Sequence, residues 1–279
     1  MRLLSTLQLA KHQLALGRRT YIMGILNITP DSFSGDGVTG VEEAVARGNA
    51  MLAEGADILD VGGESTRPGA MPVSLEEELH RVMPVVASLA GELGAPVSVD
   101  TSKAEVARQA LRAGATMIND VSAMGMDPEM PAVLAEAGVP VVLMHMGRGA
   151  AESPATGGDI LTEVKRFLAE RIDAAVRAGI ARDRILVDPG FGFGKTVSQN
   201  LELLRRLREL RELGHPVVIS TSRKGTLGKV LGGLPVEERL EGTAATVAVA
   251  ITQGVDIVRV HDVRAMVRVA RMTDAIVRV

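Results

Sequence analysis

The residues best suited to chemistry recur at one kind of place, where a short apolar run gives way to polar residues. Such runs lead into Asn27, Gly62-Gly63-Glu64-Ser65-Thr66-Arg67, Asp100, Asn119-Asp120, Met144-His145, Asp188, Ser220-Thr221-Ser222-Arg223-Lys224 and Arg259-Val260-His261-Asp262. Asp100, Asn119 and Asp188 supply two carboxylates and an amide, a set dominated by hydrogen-bond acceptors. The complementary ligand is a flat, donor-rich heterocycle such as an aminopyrimidine. The same carboxylates could ligate a metal, but no convergent histidine cluster accompanies them. Lys224 would bring a positive charge to a ring carbonyl or ring nitrogen; the plain alternative is a solvated loop lysine.

A second group suits anions. Gly62-Gly63-Glu64-Ser65-Thr66-Arg67-Pro68-Gly69 offers backbone N–H groups, hydroxyls and a guanidinium. Arg259 and His261 alternate at one strand end, so both side chains face the same way, an arrangement that suits a diphosphate. Asn27 carries an oxygen suited to a hard cation such as Mg²⁺, which takes few protein ligands, and is equally a turn-initiating residue. Helix capping competes with function at several of these positions. Asp100 beside Thr101 and Ser102, and also Asp262, are of the type that caps helices. Asp188-Pro189-Gly190-Phe191-Gly192-Phe193-Gly194-Lys195 imitates a nucleotide motif, but its glycine spacing fits neither the dinucleotide fingerprint nor a P-loop. Its glycines would instead let backbone approach a ring face, with Phe191 or Phe193 packing nearby.

The elements that must position these groups alternate strictly. Strand patterns cover Thr20–Leu26, Ile58–Val61, Val97–Val99, Thr116–Ile118, Val139–Leu143, Ile185–Val187, Val217–Ile219 and Ile257–Val260. Helical spacing is found in Val41–Glu54, Leu75–Leu93, Lys103–Ala113, Pro128–Ala137, Leu161–Ala178, Ser198–Leu213, Val236–Gln253 and Ala265–Arg278. Strand-then-helix alternation implies parallel strands with crossover helices, and eight such units close into a single (β/α)8 barrel. The polar run ends then all lie on the C-terminal face, where barrel active sites are built. A repeat at the helix-to-strand entries, Glu54-Gly55-Ala56-Asp57, Ala113-Gly114-Ala115-Thr116 and Gln253-Gly254-Val255-Asp256, places a glycine where a left-handed residue ends each helix. The chain reads as one α/β domain over 1–279, with the barrel proper from about residue 20. The segment before it would form a hairpin or lid for the barrel floor, and 147–159 reads as a loop.

Composition bounds the setting. The 279 residues carry a net charge of -3 and no cysteine, and only 2% are aromatic. A nucleic-acid partner, disulfides and cysteine-bound metals are therefore not expected. With neither a signal-peptide pattern nor a membrane-length apolar run, the expected location is cytoplasmic.

Taken together, Asn27-Ile28-Thr29-Pro30-Asp31-Ser32-Phe33-Ser34, Gly63-Glu64-Ser65-Thr66-Arg67-Pro68-Gly69, Ser98-Val99-Asp100-Thr101, Ile118-Asn119-Asp120, the Asp188–Lys195 stretch, Ser222-Arg223-Lys224 and Arg259-Val260-His261 resemble the dihydropteroate synthase family. The resemblance runs in order from Tyr21 to His261. It implies a pterin-binding TIM-barrel transferase of folate biosynthesis, the target of sulfonamides. Such an enzyme joins 6-hydroxymethyl-7,8-dihydropterin diphosphate to p-aminobenzoate with Mg²⁺. The implied pterin contacts are Asp100, Asn119, Met144, Asp188, Gly192 and Lys224, and the implied catalytic groups are Asp100, Lys224 and Asp31. Asn27, Arg67, Arg259 and His261 would hold the diphosphate, with Asn27 on the metal. Phe33, Thr66, Pro68 and Ser222 would shape the p-aminobenzoate pocket. A dissociative substitution through a pterin cation and a homodimer through the later helices are also implied. The chain departs from the family pattern at Gly35, before Asp36-Gly37, and at Gly225-Thr226, where a Ser-Phe pair is common. Two rivals remain at this level: a methyltetrahydrofolate methyltransferase barrel, which needs no phosphate-directed Arg67, Arg259 and His261, and a barrel that binds pterin without turnover.

Overall fold

The computed structural model describes residues 5–29, 40–65, 71–147 and 158–278. A two-stranded antiparallel hairpin, β1 (Ser5–Leu9) and β2 (His12–Leu16), precedes eight parallel strands. These are β3 (Tyr21–Asn27), β4 (Ile58–Gly62), β5 (Val97–Asp100), β6 (Met117–Asp120), β7 (Val141–Met144), β8 (Ile185–Asp188), β9 (Val218–Ile219) and β10 (Ile257–Val260). Seven lateral pairings run β8-β7-β6-β5-β4-β3-β10-β9. A parallel bridge between Val187 and Val217 closes the ring. The expected eight-stranded barrel is therefore present.

Around it lie α1 (Val41–Glu54), α2 (Leu75–Gly91), α3 (Ala104–Arg112), α4 (Met130–Ala137), α5 (Ile160–Arg177), α6 (Val197–Arg205), α7 (Gly225–Val230), α8 (Leu240–Thr252) and α9 (Val263–Val277). Two expected helices are shorter than their periodicity suggested. Ser198–Leu213 divides at Arg206 into α6 and a 3-10 segment, Leu207–Leu213. Val236–Gln253 divides at Arg239, whose guanidinium donates to Leu234 O and Arg223 O instead of continuing a helix face. The short α7 carries no apolar period long enough to reveal it. The repeated glycines do end helices: Gly55, Gly114 and Gly254 have φ of 106°, 109° and 92°.

The strand pleat sorts side chains into two cores. Outward residues such as Leu59, Val61, Val99, Ile118, Val187 and Val258 pack under the helices. Inward residues at the lower end, Tyr21, Met23, Ile58, Met117, Val142, Leu186, Val218 and Ile257, pack with Leu7, Leu9, Leu14 and Leu16 of the hairpin. The hairpin thus plugs the barrel floor, as expected, and one end of the barrel is sealed by apolar contacts. Whatever the barrel binds must enter from the other end.

Candidate active site

The same pleat builds the opposite end. Two residues beyond each floor residue the side chain points inward again, one layer higher. Ile58 is followed by Asp60, Met117 by Asn119, Val142 by Met144, Leu186 by Asp188, Val218 by Ser220 and Ile257 by Arg259. Asp100, paired in register with Gly62 and Asn119, completes this layer. An apolar floor and a polar ceiling therefore follow from one alternation. Asp100, Asn119, Met144, Asp188, Phe193 and Arg259 line a cleft at this level.

Arg259 lies between two carboxylates. Its Nε donates to Asp60 Oδ2 at 2.5 Å and its Nη2 to Asp100 Oδ2 at 2.8 Å. Asn119 Nδ2 donates to the same Asp60 oxygen at 3.2 Å. Asp188 Oδ1 accepts from Gly190 N at 2.6 Å. Burial pushes Asp188 up to about 6, against the pull of the Gly190 N–H and of Lys224. Burial also raises Asp100 above the usual carboxylate range, although Arg259 opposes it. Lys224 is brought down to about 8, chiefly by desolvation and then by Arg259. Its Nζ lies 3.9 Å above the Phe193 ring, so it is a fixed, weakly solvated cation and not a free loop lysine.

Capping does not account for these carboxylates. Lys103 occupies the N-cap of α3, and Asp127 Oδ2 accepts from Ala104 N in the place where Asp100 would have served. Asp262 precedes α9 without capping it, because its carboxylate takes Arg223 in a two-point pair. Asp120, next to Asn119, is structural: its oxygens accept from Ser122 N, Ser122 Oγ and Met124 N, holding a turn that contains two positive-φ residues.

The glycines of the β8 exit allow close approach to neighbouring parts of the barrel mouth. At Gly190 and Gly194, both with positive φ, a Cβ would strike backbone of His145 and Gly147. At Gly192 it would meet Lys224 Cδ at 3.0 Å. The loop is thereby pressed against its neighbour and opens room for the Lys224 stem. Lys195 holds it there, with Nζ donating to Gly190 O, Phe193 O and His145 O at 2.8, 3.1 and 3.2 Å. Burial brings Lys195 down to about 7. Phe191 packs in the main core.

Asp100, Asn119, Met144, Asp188, Gly192 and Lys224 are thus brought together as the motif pattern anticipated. Asn27 ends β3 at the same face, beside Gly62. Arg259 sits deeper than a residue reserved for an anion, and His261 bonds Ser222 Oγ at 2.8 Å above it. Asp31, Phe33, Thr66, Arg67, Pro68 and the Gly35 departure lie outside the described residues. The Gly225-Thr226 departure opens α7, where Thr226 Oγ1 accepts from Asn200 Nδ2. Two residues of the site were not singled out from the sequence: Asp60, which bonds both Arg259 and Asn119, and Lys195. An acid inside the apolar strand Ile58–Val61, in the same inward phase as Ile58, was the available sign of the first. Among the described residues there is no group of three or more His, Asp or Glu side chains arranged to hold a metal.

A (β/α)8 barrel sealed at one end, with convergent acceptors and two partly buried cations at its mouth, is the architecture of a ring-binding barrel enzyme. The family model described as pterin binding enzyme matches residues 23–261. The dihydropteroate synthase of Synechocystis sp. is 47% identical over 266 residues, covering 94% of this chain and 92% of that protein. Among solved structures, Xanthomonas albilineans dihydropteroate synthase with 4-aminobenzoic acid is 48% identical, with a TM-score of 0.90 and 98% of each chain covered. The Clostridium difficile enzyme, solved in the presence of pteroic acid, is 48% identical with a TM-score of 0.89, covering 95% of this chain and 100% of that one. The chain belongs to the pterin binding enzymes, and within them to the dihydropteroate synthase family.

Proposed function

We infer that the chain joins 6-hydroxymethyl-7,8-dihydropterin diphosphate to p-aminobenzoate, giving 7,8-dihydropteroate and diphosphate. The observation that carries this reading is the convergence of Asp100, Asn119 and Asp188 beside Lys224, an acceptor set with one cation that matches an aminopyrimidine ring bearing a carbonyl. Product formation by the purified protein tests it. Bound pterin without product would leave a binding protein, the rival reading.

In this reading Asp100, Asn119 and Asp188 hold the ring edge, Met144 packs on its face and Lys224 meets its carbonyl or ring nitrogen. Asp100 and Asp188 carry their carboxylates at the barrel mouth, with Arg259, Lys224 and Lys195 around them. Those two carboxylates, set beside the ring, would stabilise positive charge on the pterin as the diphosphate departs. Arg259 spends its Nε–H and one Nη2 N–H on carboxylates, so the other N–H groups of the fork are left to donate to a phosphate oxygen. His261, Arg67 and Asn27 would complete the diphosphate site. Ser222, Phe33, Thr66 and Pro68 would border the arylamine, the position a sulfonamide would take. Asn27 offers one hard oxygen at the mouth, which suits a cation that keeps most of its coordination for water and phosphate. Mg²⁺ held there would neutralise the leaving diphosphate.

The titrations set a pH window. The site needs Asp188 and Asp100 ionised and Lys224 protonated. The kcat/KM for the pterin substrate is therefore expected to fall as pH drops through about 7, where Asp100 gains a proton, and further through about 6, where Asp188 does, and to fall again as pH rises through about 8, where Lys224 loses one. A profile flat from pH 5 to 9 would contradict these roles.

We further propose a homodimer through the later helices. Leu201, Val230, Leu231, Leu240 and Val249, on α6 to α8, leave large apolar side chains exposed. Light scattering is expected to give twice the monomer mass, and a monomer would overturn the assignment. Among the described residues no helix is long and apolar enough to cross a membrane. With no cysteine to oxidise, a cytoplasmic setting fits the chain.

A further inference from the structure

Asp60 is a carboxylate where a barrel strand ordinarily carries an aliphatic residue. It lies within β4, in register with Ile25 and Ser98, and is completely buried. Oδ2 accepts from Arg259 Nε and Asn119 Nδ2, while Oδ1 has no hydrogen-bond partner among the described residues. Such a group is a poor source of stability. Removing a carboxylate and a guanidinium from water costs several kcal/mol per ion, and an apolar pair of similar volume often serves the fold as well or better. The arrangement therefore asks for a reason other than stability.

The contacts supply one. An ionised carboxylate only accepts hydrogen bonds. It therefore decides which end of the Asn119 amide turns toward it: Nδ2 faces Asp60, and Oδ1 is left for the cleft. Without that constraint the amide could turn over and present donors to a donor-rich ring. The same oxygen anchors Arg259 through Nε, the one guanidinium nitrogen nearest the side-chain stem, which fixes the plane of the fork against Asp100. We propose that Asp60 is a positioning residue of the pterin site, orienting the Asn119 amide and the Arg259 guanidinium by direct contact while touching no substrate itself. The proposal rests on the reading above, in which Asn119 and Arg259 meet the pterin diphosphate. Asp60 also repels charge on Asp100, which is faced as well by Arg259, Glu78 and Lys224.

The test is Asp60→Asn, nearly isosteric and uncharged. Pteroic acid affinity measured by calorimetry is expected to fall at least tenfold, and KM for the dihydropterin diphosphate to rise by a similar factor. KM for p-aminobenzoate should stay within twofold. The acid limb of kcat/KM should move to lower pH, because Asp100 loses a repelling neighbour while Arg259, Glu78 and Lys224 remain. Unchanged pteroic acid affinity, or an equal loss for both substrates with the acid limb in place, would overturn the positioning role. If the single variant does not fold, Asp60→Asn combined with Arg259→Gln leaves no buried charge of the pair unmatched. That double variant must bind pteroic acid more weakly than Arg259→Gln alone, through Asn119; equal binding would overturn the part assigned to Asn119. Wild-type protein that does not bind pteroic acid would overturn the pterin reading itself. Wild type that binds it, beside an Asp60→Asn variant that binds equally, would overturn only the role of Asp60.

Discussion

Asp100→Asn is expected to lower kcat by about 10²- to 10³-fold, with a smaller change in the affinity for pteroic acid. The asparagine keeps an acceptor oxygen for the ring, so ground-state binding is partly preserved. What it removes is a charge at the place where positive charge would develop, and a preorganised group of that kind is worth about 3–4 kcal/mol in the transition state. The loss should fall on kcat because it concerns a charge present only once the diphosphate has begun to leave. The fold should tolerate the change. Burial already disfavours the ionised form of Asp100, and Arg259 keeps its stronger anchor on Asp60. Single-turnover kinetics at saturating substrate check this directly. A variant with wild-type kcat would remove Asp100 from the stabilisation of the pterin cation.

Lys224→Met is the second large effect, an expected fall of about 10²- to 10³-fold in kcat/KM for the pterin substrate. Methionine preserves much of the stem that passes Gly192 and rests on Phe193, so packing survives while the ammonium is lost. Two consequences add. The ring loses its cationic partner, a charged hydrogen bond in a weakly solvated site. In addition, Lys224 lowers the pKa of both Asp100 and Asp188, so its removal lets both rise further. The acid limb of the pH profile should therefore move upward, opposite to the shift expected for Asp60→Asn. Opposite displacements of one limb by two neighbouring substitutions would be hard to obtain from general damage to the fold. Steady-state kinetics between pH 5 and 9 measure both, and a Lys224→Met variant with an unmoved limb and little loss would make Lys224 an ordinary loop cation.

Much of this was legible in the sequence, for a physical reason. A parallel strand buried on both faces has to be apolar, so a polar residue at its end stands out, and Asp100, Asn119, Asp188 and Arg259 were found that way. Asp60 does not stand out in this way, because it lies inside its strand. Its significance lies in its phase with Ile58, and in partners 59 and 199 positions away along the chain, which no local pattern reports. Lys195 stands in the sequence only as the end of a glycine-rich stretch that fits no P-loop. Its three carbonyl partners come from two loops that meet only in the folded barrel. The glycine spacing at Gly190, Gly192 and Gly194 is visible in the sequence, but the backbone of His145 and Gly147 that Gly190 and Gly194 approach is not, because that loop meets them only in the folded barrel. Helix ends were less legible than strand ends: Arg206 and Arg239 interrupt helical periodicity through their side-chain bonds, without glycine or proline.

The measurement that bears most directly on the whole account is diphosphate release by the purified wild-type protein, given Mg²⁺ and 6-hydroxymethyl-7,8-dihydropterin diphosphate, with and without p-aminobenzoate. The account predicts release in one-to-one proportion to 7,8-dihydropteroate when the arylamine is present, and far slower release without it. Tight binding of the pterin diphosphate with no release under either condition would contradict it, and would leave the acceptor layer at the barrel mouth as a binding site without catalysis.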